Sequence, residues 1–117
     1  MDVIALILEV LGDGLNVPVT TELPADRDAP VEMVTVEAQE QTDGFINAVR
    51  CYLTCWGLSD RNAHSIAVAS MDVLMDAALD HPWLSSAQLD SMGRDRWART
   101  GQARYEVVMD LTINSDE

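Results

Sequence analysis

The chain has 117 residues, 48% of them hydrophobic, which suits one domain built around one core. Its 20 acids stand against 7 bases, all of them arginine, for a net charge of −13. A surface of that sign repels nucleic acid and anionic lipid, and excludes the membrane as a partner.

The opening stretch MDVIALILEVLGDG repeats Ile4, Ile7, Leu8 and Leu11 at helical spacing. It predicts a helix over the first twelve residues, stopped by Gly12 and Gly14. Apolar side chains on more than one face mean that this helix needs cover from its own sheet or from a neighbouring subunit. The run is short, carries Glu9 and lacks a basic flank, unlike a secretory signal. Nothing else approaches the ~20 apolar residues of a membrane span. A cytosolic chain with reduced cysteines is the expectation.

VPVTTEL then reads as a short extended segment at a sheet edge, where proline is tolerated. VEMVTVEA (31–38) predicts a strand, ended by the turn residues of EQTDG. From Asn47 to Trp56 the sequence alternates, with Val49, Cys51, Leu53 and Cys55 on the side that faces a core. After Gly57 the period changes. Ser59 or Asp60 caps a long helix whose buried face is Ala63, Ile66, Ala67, Ser70, Val73, Leu74 and Ala77, and Pro82 ends it. AQLDSMGRDRWA is a weaker strand with Gly93 as a bulge or kink, RTGQA a turn, and Tyr105–Ile113 a cleanly alternating last strand. The order predicts an α+β single domain over 1–117, with two helices on one face of a four- or five-stranded, mainly antiparallel sheet.

Both cysteines lie in the third of these strands. Residues four apart on a strand are separated by about 13 Å, whereas a disulfide needs Cα atoms within roughly 7 Å. The pair can neither bridge nor share a metal ion, and reads as buried core thiols. His64 and His81 sit at opposite ends of a helix of about 25 Å and cannot serve one site. Asp72 and Asp76 read as a solvated helix face or one turned toward a lumen. No EF-hand loop, phosphate loop or nucleophile elbow is present. No catalytic residue, metal ligand or cofactor site is therefore expected.

One charge feature runs against the acidic background: four of the seven arginines, Arg94, Arg96, Arg99 and Arg104, fall together. They either neutralise the local acids Asp90, Asp95 and Glu106 or meet the acidic surface of another copy, with nucleic-acid binding a third and weaker reading against a net charge of −13. Trp56, Trp83 and Trp97 read as core or interface anchors. Arg94, Arg96 and Arg99, with Ile4, Ile7 and Leu8 of the first helix, form the expected subunit or partner interface.

Several motifs in order carry a resemblance. They are PVTTELPADRDAPVEMVTV with PADR at Pro24–Arg27, Asp43 before the next strand, CWG at Cys55–Gly57, the alanine-rich helix, and TGQARYEVVMDLT at Thr100–Thr112. From Val17 to Thr112 the chain resembles the tail terminator, or tail-completion, proteins of long-tailed phages and prophages. It departs from them in the loops DAPVEM and EAQEQTDG, the second acidic where relatives often carry glycine and basic residues.

The resemblance implies an α/β protein that caps the end of the tail tube as a ring, typically a hexamer. Such a ring stops tube polymerisation and offers a joining surface to the head-completion proteins of the neck. Its partners would be further copies of itself, the tail tube protein and a neck protein, and DNA would pass through without specific binding. It would assemble in the host cytoplasm and end in the tail or neck of the virion, with no catalytic residue and no cofactor. Two other readings remain open at this point. One is another head–tail connector component. The other is an acidic DNA-mimic inhibitor, against which the acids are dispersed: a balance of −8 over residues 1–58 and −5 over 59–117.

Overall fold

The computed structural model describes residues 2–22, 32–43, 46–96 and 101–114. Helix α1 (Val3–Gly14) begins at Asp2, whose carboxylate accepts from the Ala5 amide at 3.1 Å. It buries Val3, Leu6, Ile7, Val10 and Leu11, and runs through Gly12, where the sequence predicted a stop. Gly12 keeps helical backbone because the turn closes only at Leu15, whose amide donates to the Leu11 carbonyl at 2.9 Å. Strand β1 (Val19–Thr20) follows. It pairs in parallel with Val34 and Thr35, at the sheet edge expected for it.

Strands β2 (Met33–Asp43) and β3 (Ile46–Trp56) form one long hairpin, in register from Met33 opposite Trp56 to Asp43 opposite Ile46. The predicted strand end at EQTDG is overturned, since Glu40 to Asp43 still belong to β2. Gln39, Glu40 and Gln41 are exposed. Cross-strand hydrogen bonding rather than burial holds that part of the arm, so it carries no apolar alternation.

Helix α2 (Asp60–Asp80) is capped by Ser59, which accepts from the Asn62 amide at 3.1 Å. Its buried residues are Ala63, Ile66, Ala67, Ser70 and Leu74, with Val73 and Ala77 half-buried beside them. The expected small-residue face is therefore the one that meets the sheet. Strand β4 (Leu84–Arg96) pairs with β5 (Ala103–Ile113) and slips register between Leu84 and Ser86 and again between Leu89 and Ser91. Gly101, at φ 72°, takes the left-handed backbone of the turn before β5, which suits glycine.

The sheet order is β1-β2-β3-β5-β4, antiparallel throughout except for β1 with β2. This is the expected α+β domain. Both helices lie on one face. α1 covers the β1–β2 side, and α2 covers β3, β5 and β4. Between them and the sheet lie Val34, Val36, Cys51, Leu53, Val107 and Met109, meeting Ile7, Leu11, Ala67 and Leu74 from above. Each fully buried Leu, Ile or Val contributes about 1.5–3 kcal/mol. No described helix covers the other face of the sheet.

Candidate interface surfaces

Register sets the side chains of the uncovered face in rows. Arg50 on β3 stands directly opposite Asp110 on β5. Its Nε donates to Asp110 Oδ1 at 3.0 Å, and its Nη2 reaches Asp110 Oδ2 at 3.4 Å and Asp90 Oδ1 of β4 at 3.6 Å. Three strands are thus strapped by one guanidinium. The Asp110 hydrogen bond, then the charges of Asp110 and Asp90, raise the pKa of Arg50. These groups are substantially exposed, so water and salt screen both ion pairs.

Toward the far end of the same face, Arg104 donates to Asp95 Oδ2 through Nε at 2.8 Å and approaches it through Nη2 at 2.6 Å. Its guanidinium carbon also sits 5.1 Å from the centroid of the Trp56 ring. Trp56 is only 2% exposed although it lies off the helical side of the sheet, and its Nε1 donates to Thr35 Oγ1 at 3.4 Å. Between these two ion clusters a shallow cavity of about 260 Å³ is floored by Thr35, Glu37, Tyr52, Thr54, Glu106 and Val108. It offers carboxylates, hydroxyls and a phenol, without an imidazole or thiol beside them.

The arginine cluster divides. Arg104 neutralises Asp95 as the local reading expected, whereas Asp90 is met by Arg50 from another strand. The side chain of Arg94 is 64% exposed and reaches Asp60, at the start of α2, at 3.5 Å. Arg96 closes β4, and Arg99 and Trp97 lie outside the described residues. On α1, Ile7 is 1% exposed and belongs to the domain's own core. Ile4 and Leu8 are half-buried against the core and keep part of their surface free. Trp83 is half-buried against it too.

Cys51 and Cys55 are buried and unbridged. Burial pushes both thiols up to about 12; the neighbouring Cys55 adds to the rise at Cys51, and a contact with Ser70 tempers it at Cys55. Ser70 Oγ lies 3.8 Å from Cys55 Sγ and donates to the Ile66 carbonyl at 2.8 Å. His64 packs edge-on to Tyr105 at 5.1 Å between centroids. His81 caps the other end of α2 and accepts through Nδ1 from the Trp83 amide at 3.2 Å. Among the described residues no three His, Cys, Asp or Glu are placed to hold a metal ion, and no helix is long and apolar enough to cross a membrane.

Apolar surface was the signal missed in the sequence. Met75 (42%), Leu79 (85%) and Leu89 (42%) are large hydrophobic residues left exposed. The four-residue steps from Met71 to Met75 to Leu79 form a second stripe along α2, legible once the small-residue face is assigned to the sheet.

The chain matches no protein-family profile, and no curated protein is significantly similar to it. Among solved structures, a chain of the virion of a native gene transfer agent (GTA) particle shares its fold. The TM-score is 0.61 at 15% identity, over 95% of this chain and 86% of that one.

Proposed function

We propose that this chain is a structural component of a phage-type virion, and that it acts as a tail terminator. It caps the end of the tail tube as a ring of six copies, stops polymerisation there and presents a joining surface to the neck. The observation that carries the reading is the likeness in fold, over 95% of the chain, to a chain of a gene transfer agent virion. The motifs from Val17 to Thr112 supply the choice of terminator among virion parts. In this reading the chain performs no catalysis and needs no cofactor. It assembles in the host cytoplasm on the tube protein, then meets a head-completion protein. Six copies at −13 sum to −78, and an acidic lumen would keep DNA from adhering as it slides through.

The test is removal of the coding sequence from the genome that encodes the particle, followed by electron microscopy. Tubes of uncontrolled length that carry no heads are the expected result. Tubes of normal length beside unjoined heads would overturn the terminator assignment and favour another connector of the neck. Normal infectious particles would overturn both.

A further inference from the structure

The sheet ends in two unlike but complementary edges. β4 is the last strand on one side, and no described residue pairs with its outer ladder. On the other side β1 pairs with Val34 and Thr35, and no described residue pairs with the outer edge of β2 from Val36 to Asp43. Three antiparallel pairings separate β2 from β4, so the two open edges run in opposite directions. A second copy set beside the first in the same orientation therefore brings β4 of one against β2 of the next as an antiparallel pair, the more stable kind. Open edges of this length are places where another chain adds.

The helical layer agrees with that placement. Glu9 and Asp13 of α1 share a groove with Val73, Asp76, Ala77 and Asp80 of α2, which fixes the flanks by which the two helices face each other. By helical spacing, Ile4 and Leu8 lie on the opposite flank of α1, above the β2 edge. Met75 likewise lies on the flank of α2 turned away from α1, above the β4 edge, and Leu79, one turn on, stands beside it toward solvent. Each sheet edge is thus overhung by a helix flank that leaves apolar surface in water.

From these two agreements we infer that the β4–α2 side of one copy docks against the β2–α1 side of the next. Strand β4 continues the neighbour's sheet, while Met75 and Leu79 pack on the neighbour's Ile4 and Leu8. The contact is head-to-tail, so repetition produces a ring or a filament rather than a two-fold dimer. It rests on the reading above only for closure at six.

The test uses the full-length chain. Burying one leucine at a contact corresponds to about ten- to hundredfold in affinity. Leu79→Asp should therefore raise the concentration of half-assembly by at least about tenfold in light scattering, while Leu58→Asp, an exposed leucine outside the contact, leaves it unchanged. Ile4→Cys and Leu79→Cys, combined in one chain and treated with a short bis-maleimide, should give a ladder of cross-linked multimers. Either substitution alone should give none, because the native thiols are buried. Cross-linking by Leu79→Cys alone would reveal a two-fold contact and overturn the head-to-tail arrangement. An oligomer indifferent to Leu79→Asp, or a chain monomeric at every concentration, would also overturn the inference. Neither result bears on tube length in the deletion experiment, so the two readings fail separately.

Discussion

Gly14 and Val73 hold the two helices at contact distance. A Cβ placed on Gly14 would lie 2.7 Å from Val73 Cγ2 and 2.8 Å from Cγ1, closer than carbon atoms tolerate. Valine has little rotamer freedom with which to yield. Gly14→Ala should therefore destabilise the fold by about 1–3 kcal/mol through overpacking, despite alanine's better helix propensity. The double variant Gly14→Ala/Val73→Ala should recover part of that loss. Urea denaturation of the four-member cycle measures the coupling, and additive losses would show that the two residues do not constrain each other.

Gly57 is confined by backbone instead. Its added Cβ would meet Ala63 N at 2.4 Å and Ala63 Cα at 2.7 Å. No side chain can rotate away there, so the first turn of α2 must move. Its cap hydrogen bonds would move with it, among them that from the Leu58 amide to Asn62 Oδ1 at 2.7 Å. Gly57→Ala should cost more than Gly14→Ala, and no substitution at Val73 should rescue it. Thermal unfolding of both variants ranks them.

The thiols set a limit on alkaline stability. In the folded chain both are raised to about 12 from an ordinary value of 9.0. Between those values the unfolded chain releases thiol protons that the native one keeps, so stability falls as pH rises. The contribution is fully present below about pH 9 and is lost as pH climbs toward 12. Denaturation midpoints measured from pH 7 to 11 should be level at first and then fall. Cys51→Ala/Cys55→Ala should remove most of the alkaline slope while lowering stability at pH 7.

Arg104 is held by shape as well as charge, by Asp95 on one side and the Trp56 ring on the other. Lysine keeps the charge but loses the planar stacking and the fork. Arg104→Lys should destabilise by about 0.5–1 kcal/mol, with a change in Trp56 fluorescence. Arg50→Lys, at a more exposed position without an aromatic partner, should cost less. A larger loss at Arg50 would place the main strap of the uncovered face at Asp110 instead.

What could be read from the sequence follows where burial is one-sided. Val49, Cys51, Leu53 and Cys55 announce β3, and Ala63 through Ala77 announce α2, because each meets the core at its own period. The end of β2 could not be read, since Gln39, Glu40 and Gln41 are exposed and carry no alternation. The slips at Leu89 and Ser91 blurred β4 in the same way. Of the residues expected at an interface, Ile4, Leu8 and Arg94 keep exposed surface and Ile7 does not. The partners of Arg50 depend on sheet order, which brings together residues 60 apart in the chain. Local sequence does not encode that order. The same holds for the opposite directions of β2 and β4, which exist only once every strand is in place.

Cys51 and Cys55 have one more use. Since neither can be reached while the domain is closed, a thiol adduct recovered from a native preparation marks a molecule that had opened. The labelling rate against reagent concentration then reports how often a subunit opens, free or assembled, with no engineered probe. The chain carries its own clock for opening, at the centre of its sheet.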